Sequence, residues 1–133
     1  VAGTRGDAGL RSDMNWDRLA RSDSARRVLE HWRKLGRFRR AHPAVGAGVH
    51  RTLQASPYVF SRTLDAGALH DRVLVALDQP RGAKTIPVFG VFADGTELVD
   101  GYSGAQVVVR GGTVSLTSDA GLVLLGVAPR TSR

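Results

Sequence analysis

The chain has 133 residues, enough for one modest core and too few for a β/α barrel, which takes roughly 250. It contains no cysteine, which excludes disulfides and thiolate metal sites. Lys and Arg number 19 against 12 Asp and Glu, and the excess is local: residues 1–51 hold 12 basic and 5 acidic side chains, residues 52–133 hold 7 of each.

Residues 1–23 are polar, rich in Gly, Asp, Ser and Arg, with one apolar island at Met14, Trp16 and Leu19; they read as an irregular arm. Residues 24–41 read as a helix. Ser22, Asp23 and Ser24 each offer a short side-chain oxygen to the free N–H groups of a first turn. Ala25, Val28, Leu29, Trp32 and Leu35 then fall on one apolar stripe, with Arg26, Arg27, Arg33, Lys34 and Arg37 mostly on the other side. Pro43 stops the run, and His42 before it is expected to be extended.

Beyond Gly46-Ala-Gly48 the periodicity changes to two. Val49–Leu53, Tyr58–Leu64 and the more apolar Arg72–Leu77 read as strands, with Ser56-Pro57 as a turn and 78–82 as a loop. Thr85–Phe92 reads as a further strand, placed at an edge or bulge by Pro87. Ala93-Asp-Gly-Thr96 reads as a hairpin turn, and Glu97–Asp100, Ala105–Arg110, Thr113–Leu116 and Leu122–Val127 complete the set. The expected fold is mainly β: an antiparallel β-sandwich of Greek-key type, with about seven or eight strands, behind one amphipathic helix and the irregular arm. The division expected is 1–48 for arm and helix and 49–133 for the β domain.

Three stretches carry a resemblance. Arg11-Ser-Asp-Met14-Asn-Trp16-Asp17 is similar to the Arg-x-Pro-Met-x-Trp-Asp motif of bacterial alpha-amylase-family enzymes (glycoside hydrolase family 13), with Asp13 where the motif has proline. His31–Gly48 resembles that family's last barrel helix and its exit into a C-terminal β domain. Asp94-Gly-Thr-Glu-Leu-Val-Asp100-Gly-Tyr-Ser-Gly104 resembles turns near the end of that domain. In order, the three span nearly the whole chain. The resemblance implies an α-glucan-hydrolysing parent whose nucleophilic aspartate, general-acid glutamate and third aspartate lie on barrel strands upstream of Val1. Retaining hydrolysis needs two carboxyls about 5 Å apart across the bond, and no motif here matches theirs. The resemblance also implies calcium for the parent, held by barrel ligands, and no cofactor for this chain. A secreted or periplasmic parent fits it, although Val1–Asp7 has no apolar run and so is no secretory signal. The absence of an initiator Met reads as a processed or partial chain.

The candidate substrate contacts are Arg11, Trp16, Tyr58 and Tyr102. The arginine of the first motif sits at the substrate pocket in some relatives of the family, and aromatic faces suit the C–H side of a pyranose. Trp32, on the helix stripe, is expected in the core, and Trp16 and Tyr102 have packing or turn-bracing readings beside the sugar reading. Gly101-Tyr-Ser103-Gly-Ala105 partly matches a Gly-x-Ser-x-Gly nucleophile elbow, but a strand rather than a helix follows it. Ser103 is therefore the one nucleophile candidate. The His residues are too scattered for a zinc motif.

Four readings follow. The chain is an accessory part of an amylase-like hydrolase, with the missing barrel or a second copy covering the helix stripe. Alternatively it is a stand-alone carbohydrate-binding module, a small esterase-like hydrolase using Ser103, or a basic interaction module. Nucleic acid is disfavoured because the arginine-rich helix lacks interleaved aromatics. No stretch reaches the roughly 18 apolar residues of a membrane span.

Overall fold

In the computed structural model, which describes residues 13–128, the chain divides into two compact units, Val1–Arg33 and Lys34–Arg133. The line expected at 48/49 falls inside the second. The first unit holds helix α1 (Trp16–Arg21) and the beginning of α2 (Asp23–Ala41). The stretch expected to be irregular is thus helical over six residues. Its sequence signal is a cap: the Asn15 side chain accepts from the Arg18 N–H at 2.8 Å. Ser22 separates the helices. Its hydroxyl accepts the Ala25 N–H at 3.3 Å, and Asp23 pairs with Arg26 one turn on.

The second unit holds the rest of α2, a short helix α3 (Ala44–Ala47) and eight strands: β1 (Val49–Gln54), β2 (Val59–Ala66), β3 (Leu69–Ala76), β4 (Gly82–Pro87), β5 (Glu97–Asp100), β6 (Gln106–Val108), β7 (Thr113–Ser118) and β8 (Val123–Val127). A six-stranded sheet runs β1-β2-β3-β8-β5-β6, and a two-stranded sheet pairs β4 with β7; every pairing is antiparallel. The mainly-β architecture behind a helix is as the periodicity predicts.

Two layers bury the large sheet from opposite sides, and β3 shows why. Leu74 and Ala76 enter a core with Ile86, Val88, Val114 and Leu116 of the small-sheet segment, while Val73 and Val75 join Phe38, Ala44 and Leu124 on the helix side. A strand covered on both faces reads as a continuous apolar run, as Arg72–Leu77 does.

The expected strand Thr85–Phe92 is corrected. The strand is Gly82–Pro87, and the chain then turns so that the N–H groups of Val91 and Phe92 both reach the Val88 carbonyl at 3.1 Å. Pro87 has no N–H to continue a ladder, so it closes the strand. The Asp94-Gly95 segment is a turn, but not a hairpin: β4 before it and β5 after it lie in different sheets. The Asp94 carboxylate instead latches a second turn, accepting from Gly111 and Gly112 N–H at 2.9 Å each, and these two bonds hold its pKa below the ordinary range.

The helix stripe is corrected as well. Trp32, expected in the core, is 65% exposed, and Val28 is 57% exposed. Among the described residues of α2 the buried one is Phe38, one turn past Leu35. Phe38 sits against the backbone of Gly101: a Cβ there would lie 2.7 Å from the ring's Cδ2. Gly101→Ala should therefore push the ring out of its seat. The expected loss in urea unfolding is about 1–3 kcal/mol, partly recovered when Phe38→Leu is added to vacate the space.

Candidate functional site

Of the residues singled out from sequence, Arg11 lies outside the described residues. Trp16 is on α1 and is 70% exposed. Tyr102 and Ser103 share one turn in the second unit, and Tyr58 lies elsewhere, at the entry to β2.

The Tyr102–Ser103 turn is organised by Asp100, which is completely buried. Its carboxylate accepts the Ser103 hydroxyl at 2.5 Å and the N–H groups of Tyr102 at 3.0 Å, Ser103 at 3.2 Å and Leu124 at 2.9 Å. Ser103 thus spends its proton on a buried carboxylate. His42, His50 and His70 hydrogen-bond to Asp71, Tyr58 and Asp65 respectively. A strand, β6, follows the turn, so the strand–turn–helix of a nucleophile elbow is not formed. Tyr102 packs with the Phe38 cluster, and the Lys34 ammonium lies 4.7 Å from its ring centroid, a cation–π contact that braces turn against helix. Ser103→Ala should lower stability by about 1–2 kcal/mol, since it removes a charged-acceptor hydrogen bond while the other three bonds to Asp100 remain. It should leave any hydrolysis of p-nitrophenyl esters unchanged; loss of such activity in a folded variant would reinstate Ser103 as a nucleophile.

Tyr58 belongs to a different arrangement. The turn before it contains a cis Ser56–Pro57 bond, and β1 and β2 then pair so that Thr52 stands opposite Phe60 and His50 opposite Arg62. These four side chains share the sheet face on which α3 lies, and Arg62 donates to the carbonyls of Ala44 and Gly46 at 3.4 Å each. His50 Nε2 and the Tyr58 hydroxyl are 2.9 Å apart, and Thr52 Oγ1 lies 3.4 Å from the same hydroxyl. The His50 and Tyr58 ring centroids are 6.4 Å apart with planes inclined by 27°. A hydrogen bond joining the two ring tips over that span requires ring, bond and ring to lie almost in line. The pair is therefore end to end and nearly coplanar, not face to face. Phe60 lies against both, with centroids 4.7 Å from His50 and 5.3 Å from Tyr58. Phe60 lies beside the pair, His50 is exposed and Tyr58 is half-buried. The result is a tied pair of rings, inclined by 27°, with the Thr52 hydroxyl beside the shared hydrogen bond.

Sequence reasoning singled out Tyr58 but not His50 and Phe60, which lie against it. The signal was present in the hairpin: alternate residues of two short strands joined by a tight turn must share a face. For calcium, implied only for the parent, no group of three or more His, Asp or Glu side chains gathers among the described residues, and none of them is assigned to it. Among those residues no helix is long and apolar enough to cross a membrane.

No family model matches the chain. Over 45 residues it is 47% identical to the periplasmic alpha-amylase of Escherichia coli (strain K12), a match covering 34% of this chain and 6% of that protein. Its fold is similar to the crystal structure of an Anoxybacillus alpha-amylase, described as a new glycosyl hydrolase subclass, with a TM-score of 0.66 and 21% identity. That match covers 98% of this chain and 27% of the Anoxybacillus chain, so the present chain spans about a quarter of its structural neighbour. In sequence over one stretch, and in fold over nearly its whole length, the chain resembles the C-terminal part of an alpha-amylase-family enzyme.

Proposed function

We propose that the chain is the C-terminal accessory part of an alpha-amylase-like glycoside hydrolase acting on α-glucans, and that the catalytic carboxylates reside in a barrel outside it. Residues 1–48 are then the end of the barrel, and residues 49–133 the accessory β domain.

The observation that carries this reading is the apolar surface of the first unit. Met14, Leu19, Ala25, Val28, Leu29 and Trp32 line an open groove of about 410 Å³. Trp16, Val28 and Trp32 are each more than half exposed. Large exposed apolar side chains gathered in one groove mark a surface that meets another polypeptide. The face belongs to residues 1–48, the part that resembles the end of the family's barrel, and the neighbouring strands and helices of a barrel are the surface that would cover it. The basic side chains follow the same division, since the excess positive charge belongs to residues 1–51 and the β domain is balanced.

The accessory role is mechanical. Phe38 and Ala44 seat the end of the helix and its exit turn on the large sheet. A domain joined in this way clamps the last helix of a barrel from one end while the barrel packs along its apolar stripe.

Two measurements test this. In sedimentation velocity the 133-residue chain should self-associate through the uncovered face, and Val28→Glu with Trp32→Arg should return it to a monomer with unchanged β-sheet circular dichroism. A wild-type chain that stays monomeric and fails to bind an apolar-surface dye would count against the reading. Independently, the coding sequence immediately upstream should encode barrel strands with two aspartates and one glutamate at their ends; a start codon there would overturn it.

A further inference from the structure

We infer that a cleft beside the turn end of the β2–β3 hairpin binds a small organic carboxylate with an apolar body, and that the Arg72 guanidinium anchors it. The cleft is separate from the Tyr58 and Ser103 arrangements, and every residue that lines it lies in the second unit. The inference does not rest on the accessory reading.

The first argument is shape. One sheet has six strands and the other two, so β4 and β7 leave part of the large sheet without a strand across from it. Near the end of β2 and the start of β3 the neighbouring chain is the turn segment 91–96, and the space between is a cleft of about 460 Å³. That volume suits a small molecule. Asp65 stands opposite His70, and Thr63 opposite Arg72, so alternation puts Asp65, His70 and Arg72 on one face of the hairpin. The cleft is polar where these three line it and apolar where Val91, Phe92 and Val127 do.

The second argument is charge. One Arg72 N–H donates to the Val91 carbonyl at 3.2 Å, which holds the guanidinium at the cleft wall and leaves its other donors for a ligand. The carboxylates beside it are engaged elsewhere. Asp65 Oδ1 lies 2.9 Å from His70 Nδ1. Asp71 meets His42 Nδ1 at 3.0 Å and the Ala44 N–H at 2.9 Å, at the helix exit. Asp65 is the diagonal neighbour of Arg72 across the hairpin, within reach of so long a side chain. His70 is therefore a positioning residue: by occupying Asp65 it leaves Arg72 to an acid from outside. A planar guanidinium takes a carboxylate through two parallel hydrogen bonds. A dianion would bring a second negative charge near Asp65 with one arginine to meet it, so a monoanion fits better. The apolar wall of Val91, Phe92 and Val127 calls for an apolar body behind that charge.

The experiment is a titration of the isotope-labelled full chain followed by amide NMR shifts, with benzoate as the probe and benzyl alcohol and phenyl phosphate as comparisons. Benzoate should shift the Val91, Phe92 and Thr96 amides along saturable curves, with a dissociation constant of about 1 mM for a ligand of that size. Benzyl alcohol, which keeps the ring and lacks the charge, should bind about tenfold more weakly, and phenyl phosphate no better than benzoate. Arg72→Gln should weaken benzoate about tenfold. His70→Ala should weaken it about fivefold by releasing Asp65 onto Arg72, and adding Asp65→Asn should restore it. A merely structural role for His70 would not be relieved by that second change. Arg110→Gln, which removes an exposed cation just beyond β6, should bind as wild type. Circular dichroism and urea unfolding establish that each variant is folded. His70→Ala keeps the tie from Arg72 to Val91, so it carries the test if Arg72→Gln fails to fold.

Benzoate shifts unchanged in a folded Arg72→Gln variant would place the carboxylate elsewhere and overturn the site. No saturable shift at about ten times the expected constant would also overturn it. Equal binding of benzyl alcohol would reduce the cleft to an apolar contact, and tighter binding of phenyl phosphate would overturn the choice of a monoanion. Shifts spread over the arginines of α2 instead of the cleft would show a general ion effect, and the inference would be wrong. Weak binding that persists in the His70→Ala, Asp65→Asn double variant would remove the positioning role of His70.

Discussion

The structure depends on one buried carboxylate. Removing the Asp100 side chain from water is costly, and the cost is met only if strong donors replace the water. Four do, and they come from two places in the chain: three from the turn that follows Asp100 and one from Leu124 on the neighbouring strand. Backbone bonds close the same loop, from Gly104 N–H to the Asp100 carbonyl at 2.8 Å and from Gly101 N–H to the Leu124 carbonyl at 2.7 Å. The Asp-Gly-Tyr-Ser-Gly motif is therefore a clasp joining β5 to β8. Each residue type has its reason: Asp to accept, Ser to donate, and a first glycine because the Phe38 ring occupies the space of a side chain. A motif that superficially suggests catalysis is explained by the cost of an unsatisfied buried charge.

The same clasp governs the helix. Phe38 needs the bare backbone of Gly101, and Tyr102, held in place by the turn, lies under Lys34. At the other end of the joint, His42 Nδ1 and the Ala44 N–H both meet the Asp71 carboxylate, at 3.0 and 2.9 Å. The His42 ring presses on Gly126, where a Cβ would come within 2.5 Å. Two acidic residues thus fix the two ends of the helix exit, one through a glycine beneath Phe38 and one through a histidine over β8. The seat of Phe38 and His42 on the sheet is set by close approaches that larger residues would prevent. That is the physical content of calling the β domain a clamp.

These relations also mark what could be read from the sequence. Strand existence was legible because alternation and turn residues are local: β5 is bounded as expected at Glu97–Asp100, and β8 lies within the expected 122–127. The insertion of β8 between β3 and β5 was not, because register across distant segments is decided by packing over the whole domain. Phe38 was hidden by its neighbours, with Arg37, Arg39 and Arg40 around it and Gly36 just before, although it stands three residues beyond Leu35 on the same stripe. Trp32 misled for the opposite reason: its place on the stripe is real, but a stripe says that something covers it, not that the same chain does. At the candidate site Tyr58 was visible by residue type, whereas His50 and Phe60 acquire meaning only when the hairpin places them on one face.

The position of that site follows from a problem every open sheet has. An outermost strand offers unpaired backbone groups to any passing strand, and stable proteins blunt it by charge, by irregularity or by cover. β1 shows all three. Its pairing slips between Thr52 and Gln54, Arg51 lies on it, and the His50–Tyr58 pair stands beside it. A ring pair that is tied, backed by Phe60 and bordered by a break in register guards the margin against strand addition while leaving a hard aromatic surface exposed. Backbone pairing needs a regular row of N–H and C=O groups. By interrupting the row, the margin of this sheet is poorly suited to another β-strand.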